Sequence, residues 1–95
     1  MAKDWPFLNV PAGPAASVLH SLHASWPEPI NLTPEHAGLA GEDRGFLLAL
    51  IALQDAGWLM CEAILAGAGR EPCALDAVLT AKGRDELARR RDAAP

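Results

Sequence analysis

The sequence predicts a small α+β domain: three helices, a β-hairpin preceded by a short first strand, and a closing C-terminal helix. Three observations predict it. The apolar run FLLALIALQDAGWLMCEAIL, residues 46 to 65, changes its hydrophobic period at Gly57, from helical spacing to alternation. A second alternating run, ALDAVL at 74 to 79, follows it across a segment holding two glycines and a proline. Proline and threonine mark helix boundaries on either side of this pair.

The apolar run is long enough to raise the question of a membrane span, which takes about 20 such residues. Asp55 would sit at its centre, at roughly 2.5 to 3.5 kcal/mol on the insertion scale. Nine Phe, Leu and Ile residues at about 0.5 kcal/mol each barely offset that before Gln54, Glu62 and Gly57 are counted. Two joined elements fit better. Phe46, Leu50 and Leu53 recur at helical spacing over 43–56, and Gly57 supplies a C-cap. Beyond it, Leu59, Cys61, Ala63 and Leu65 make an apolar face, while Trp58, Met60, Glu62 and Ile64 make a mixed outer one, as in a half-buried strand.

The other elements follow in chain order. Residues 1–13 carry prolines at 6 and 11 and read as an extended arm, without the unbroken apolar core of a signal peptide. Its Trp5, Phe7, Leu8 and Val10 predict that it lies on the domain or on a partner. Gly13-Pro14 opens a helix through Trp26, with Ala15, Val18, Leu19, Leu22 and Trp26 on one side, and Pro27 and Pro29 end it. Ile30 to Leu32 is a short extended piece. Thr33-Pro34-Glu35 then reads as an N-cap with proline at N1, starting a brief helix that stops near Gly38 or Gly41. Residues 66 to 73 form the long tip of the hairpin, and Leu75, Ala77 and Leu79 face inward from its second strand. Thr80 caps the last helix, whose arginines 89 to 91 suit the negative end of its dipole. One domain over 14–91 with a tail at 92–95 results.

Composition bounds the chemistry. A 95-residue chain buries roughly 60 to 68% of its unfolded surface around one core. Nineteen alanines and only five aromatic residues make that core small and leucine-dependent. A net charge of −4 gives no overall attraction to nucleic acid or anionic membrane, so any basic surface must be local. Cys61 and Cys73 form neither a zinc motif nor a disulfide framework and read as reduced thiols of a cytoplasmic protein. His20 and His23 lie three apart, with His36 a distant third nitrogen ligand, but they fall beside serines and off the apolar stripe, as solvated residues do. Ser17, Ser21 and Ser25 recur every four residues with no histidine and acid placed to activate one. Glu62 and Asp76 project from an open strand surface with nothing to dry a site between them. The chain reads as a non-enzyme without cofactor or metal.

The element order, the helix-to-strand join LLALIALQDAGWL and the closing LDAVLTAKGRDEL resemble bacterial winged helix-turn-helix domains. Those commonly carry a leucine-rich helix ending in glycine before the first wing strand, and an LT.KG...L junction after the second. The resemblance covers roughly residues 14 to 91. It implies a helix at 43–56 in the recognition position, a wing tip at 66–73, dimers and a use in transcriptional regulation.

The residues of that helix argue against base reading. Its far face carries Arg44, Gly45, Leu48, Ala49, Ala52, Asp55 and Ala56, with Leu47 and Ile51 widening the apolar stripe. One arginine at the start and an aspartate near the end are a poor set of base-edge donors and acceptors. A helix apolar nearly all round is usually covered on both sides, and so small a domain has no second layer to cover it. The leading expectation is therefore a recognition module that self-associates or binds a protein partner through Leu48, Ile51 and Ala52, with Trp5 and Phe7 of the arm adding to the contact. The alternative is a DNA-binding regulator gripping phosphate with Arg44, Arg70, Lys82 and Arg84.

Overall fold

The protein is described by a computed structural model over residues 12–67 and 69–93. Its elements are α1 (Ala12–Ser25), β1 (Ile30–Leu32), α2 (Asp43–Asp55), β2 (Leu59–Met60), β3 (Ala63–Gly67), β4 (Arg70–Leu79) and α3 (Ala81–Ala93). Three helices thus flank an antiparallel sheet in which β4 is central, with β1 on one side and β2 and β3 on the other. No helix among the described residues is long and apolar enough to cross a membrane. The expected arm residues Trp5, Phe7, Leu8 and Val10 lie outside the described residues.

α1 buries Ala15, Val18, Leu19 and Leu22, the i, i+3, i+4, i+7 stripe of an amphipathic helix. It begins at Ala12 rather than after Gly13, and it ends at Ser25 rather than Trp26. Pro27 disfavours helical geometry at the residue before it, so Trp26 leaves the stripe and is 41% exposed instead of joining the core. The brief helix expected at Thr33 is a set of turns. Thr33 Oγ1 accepts the His36 N–H at 3.2 Å as an N-cap does, but the hydrogen bonds that follow, Ala37 to Thr33 and Leu39 to Pro34, do not propagate into a second turn.

α2 places Phe46, Ala49, Leu50 and Leu53 in the core. Ala49 therefore belongs to the buried side, not the far face: it lies one turn on from Gly45, where an added Cβ would meet Pro14 Cγ of α1 at 3.4 Å. The helix ends as predicted at Gly57, which has φ +81°. The Trp58 N–H reaches the Leu53 carbonyl at 2.9 Å and the Gly57 N–H the Gln54 carbonyl at 2.9 Å, the paired bonds of a Schellman motif. Trp58 is buried in the same core as Leu53, so it does not lie on an outer strand face.

The hairpin departs from simple alternation. Its first strand is broken between Met60 and Ala63, and the inward set is Leu59, Cys61 and Ile64 facing Leu79, Ala77 and Ala74. Each strand thus takes three residues where a regular pleat takes two, and because both do so the register on either side is unchanged. The cause lies in β4: Asp76 has φ +53°, a left-handed conformation that Asp tolerates better than most residues, and its N–H donates to Asn31 Oδ1 of β1 at 3.1 Å. The pairing of β1 shifts at the same place, from Ile30 opposite Ala77 to Leu32 opposite Ala74. Ala63 and Leu65 are consequently only half-buried, and Leu75 leaves the core that Ala77 and Leu79 share. The tip is also shorter than expected, since β3 continues to Gly67, which pairs with Arg70 at the start of β4.

One junction ties these elements together. The Thr80 N–H donates to the Trp58 carbonyl at 3.1 Å, and the Thr80 hydroxyl donates to the Gly57 carbonyl at 2.6 Å while accepting the Gly83 N–H at 3.0 Å as the N-cap of α3. Gly83 lies so close that a Cβ there would stand 2.0 Å from the Trp58 carbonyl oxygen. Replacing Gly83 by alanine must push α3 off this turn, and the cost is expected at or above the upper end of the roughly 1–3 kcal/mol of overpacking. Thr80→Val should cost about 1–2 kcal/mol through the lost cap, with Thr80→Ser close to wild type. Urea unfolding of the three variants checks this order against a total stability of about 5–14 kcal/mol for a domain of this length.

Candidate functional site

Among the described residues, the outward face of α2 carries two of the exposed large hydrophobic side chains. Leu48 is 36% and Ile51 48% exposed, while the flanking Ala52 is half-buried and Leu47 packs back on the core. Arg44 and Asp55 bracket the pair, both exposed and neither in an ion pair among the described residues. At 100° per residue, Arg44, Leu48, Ile51 and Asp55 fall within a 60°-wide stripe, opposite the buried Phe46, Leu50 and Leu53. Both charges oppose the helix macrodipole: a cation stands in the first turn and an anion at the last residue, each unfavourable by about 0.3–1 kcal/mol at low salt. Helix stability does not account for them. Trp5 and Phe7, the other expected interface residues, lie outside the described residues. Met60, on the outer side of β2, is 57% exposed and was not singled out by the sequence, where it reads only as one alternating position.

The basic candidates are dispersed over three elements. Arg44 opens α2, Arg70 opens β4 beside Glu71, and Lys82 is exposed in the first turn of α3. Arg84 is half-buried, with its guanidinium carbon 3.8 Å from the centre of the Trp26 ring and its Nε enclosed with no hydrogen-bond partner among the described residues. It is engaged in a cation–π stack that covers one side of the exposed indole. Arg89 is paired with Glu86 one turn back, and the carboxylate beside it holds its guanidinium more firmly protonated. The side chains of Arg90 and Arg91 lie outside what is described.

The hairpin carries the opposite charge. Glu62 and Asp76 are both exposed and lie side by side where the two strands bulge. A hydrogen bond between the two side chains, followed by the charge of Asp76, raises the Glu62 carboxyl above its ordinary range. The pair presents negative charge outward and nothing shields it from water. Cys61 and Cys73 are free thiols, and partial burial pushes Cys61 up from its ordinary value, away from thiolate reactivity. Cys61 Sγ lies 3.9 Å from Gln54 Oε1 at the end of α2. His20 and His36 are exposed and His23 is half-buried. Among the described residues no three His, Cys, Asp or Glu side chains are grouped as a metal would need.

Comparison with known proteins finds no match to this chain: no protein-family model, no curated protein and no solved structure.

The acidic pair carries a pH signature. Because the Glu62 carboxyl is raised in the fold, the folded protein holds that proton more tightly than the unfolded chain does. The stability this gives is fully present below the ordinary glutamate value of 4.5 and is lost as pH rises through the raised folded value. Glu62→Gln should therefore be more stable than wild type at neutral pH, and the gap should close as pH falls below 4.5; urea midpoints for both proteins across that range measure it.

Proposed function

We propose that this protein is a non-enzymatic recognition module of the winged-helix type, working by burial of the outward face of α2 against another protein surface, in a cytoplasmic, regulatory setting. The fold-level support is the connectivity: a helix, a short strand, a second helix directly preceding a hairpin, and a central β4 flanked by β1 and by the hairpin's first strand. The observation that carries the functional reading is the exposure of Leu48 and Ile51 side by side on a rigid helix whose other side is fully buried. Two large aliphatic side chains on the outside of a 95-residue domain gain free energy when covered, at roughly 25 cal/mol per Å2 of apolar area.

The second reading is a DNA-binding regulator, favoured by the exposed cations Arg44, Arg70 and Lys82. Three features weigh against it: the net charge of −4, the outward Glu62–Asp76 pair on the hairpin, and the engagement of Arg84 with Trp26 and of Arg89 with Glu86. On the outward stripe of α2 a duplex would meet one exposed arginine, one aspartate and two aliphatic side chains, and aliphatic side chains read little beyond thymine methyl groups.

Two measurements divide the readings. In fluorescence anisotropy with arbitrary duplex DNA, the protein-docking reading expects weak binding with a shallow salt dependence; a fall of about a thousandfold or more between about 50 and 200 mM salt would require several phosphate contacts and overturn it. In light scattering, Leu48→Glu and Ile51→Glu should abolish whatever self-association the wild type shows, since each places a charge in the centre of the apolar face.

A further inference from the structure

The outward stripe of α2 has an internal symmetry that specifies its partner. Arg44, Leu48, Ile51 and Asp55 follow one another at intervals of four, three and four residues, close to the roughly 3.6 residues of one helical turn, so all four lie on one narrow line along the helix. The stripe is also complementary to itself in reverse. Read from the other end, the anion at 55 stands where the cation at 44 stood, and Ile51 stands where Leu48 stood. The half-buried flanks, Leu47 and Ala52, exchange in the same way. We infer that the partner of this face is a second copy of the same chain, its α2 packed antiparallel about a two-fold axis between residues 49 and 50, with Leu48 against the other copy's Ile51 and Arg44 against its Asp55. This rests on the reading of the α2 face as a protein-docking surface, and adds the partner and the geometry.

The charges supply the argument for this occupant over others. Arg44 and Asp55 are about 16 Å apart along the helix at ~1.5 Å per residue, too far to pair within one helix. Each has no ion-pair partner among the described residues, and each lies at the end of the helix its charge disfavours. In the antiparallel pair each cation meets an anion and also approaches the dipole end that favours it: Arg44 lies beside the C-terminal end of the partner's α2 and Asp55 beside its N-terminal end. Two such ion pairs form, one on each side of the axis. A parallel pair would set Arg44 against Arg44 and Asp55 against Asp55. Contact over one short helix covers less than the about 800 Å2 per partner of a standard interface, so the dimer should be weak, half-dissociated on the order of 10 micromolar.

Sedimentation equilibrium or concentration-dependent light scattering of the full chain tests this through charge exchange. Arg44→Asp sets carboxylate against carboxylate at both ends of the dimer, and Asp55→Arg sets guanidinium against guanidinium at both; each should weaken the dimer by roughly tenfold or more. The double variant R44D/D55R restores opposite charges at both ends and should return the dissociation constant to within about threefold of wild type. Both positions are exposed and both reversals agree with the helix dipole, so the variants keep the fold, which far-UV circular dichroism and urea midpoints verify. A wild type that stays at its monomer mass of 10.0 kDa to several hundred micromolar overturns the inference. A dimer that Leu48→Glu dissociates but that the single reversals leave unchanged, or that the double reversal fails to restore, overturns the antiparallel pairing and leaves the docking face standing. A dimer indifferent to Leu48→Glu removes the face itself.

Discussion

The structure depends on one close approach of backbone to backbone, where the first turn of α3 lies on the turn that ends α2. Only a residue without a side chain fits at 83, because the Trp58 carbonyl occupies the place a Cβ would take. The Thr80 hydroxyl is then held between the Gly57 carbonyl and the Gly83 N–H, using its donor and an acceptor lone pair at once. Four element ends meet there: the C-terminus of α2, the start of β2, the end of β4 and the N-terminus of α3. Each leaves polar backbone groups that need partners, and a few residues satisfy several of them together.

A second constraint shapes the hairpin. A strand that pairs on both sides can absorb an irregularity only if its neighbours absorb it too. Here β4 bulges at Asp76, β1 shifts its pairing beside it and answers with the Asn31 side chain, and the hairpin's first strand breaks opposite. The consequence is electrostatic as well as geometric. The doubled bulge turns Glu62 and Asp76 outward next to each other, so the hairpin surface is acidic where a nucleic-acid contact would need cations. With Arg84 drawn over Trp26 and Arg89 held by Glu86, two of the eight lysines and arginines are already occupied by the chain's own surface.

The two faces of α2 therefore differ, one buried and one exposed. Phe46, Ala49, Leu50 and Leu53 complete a core that nineteen alanines and five aromatic residues leave small, while Leu48 and Ile51 are surplus to it. Surplus apolar area on a rigid scaffold is the ordinary material of protein recognition, and an interface gains specificity from the charges that frame its apolar centre more than from the centre itself. In the proposed interface Arg44 and Asp55 would take that framing position, at the expense of their own helix.

The sequence by itself determined what depends on neighbours along the chain. The period change at Gly57, the glycine C-cap, the Thr80 cap and most of the buried faces of α1 and α2 are local consequences of side-chain spacing and of φ preferences, and the exposed Leu48 and Ile51 follow from the same wheel. Tertiary structure decided the rest. Nothing near Trp58 in sequence announces that its carbonyl will abut Gly83, twenty-five positions on; the Asp76 bulge needs Asn31 from a distant strand; and Ala49 is buried because Pro14 and α1 cover that flank. The short helix expected at Thr33 failed for a related reason, since a correct cap starts a helix but only packing or further turns sustain it. Period and capping are properties of a segment, whereas strand parity, close approach and which flank of a helix is covered are set by pairs of segments that meet only in the folded chain.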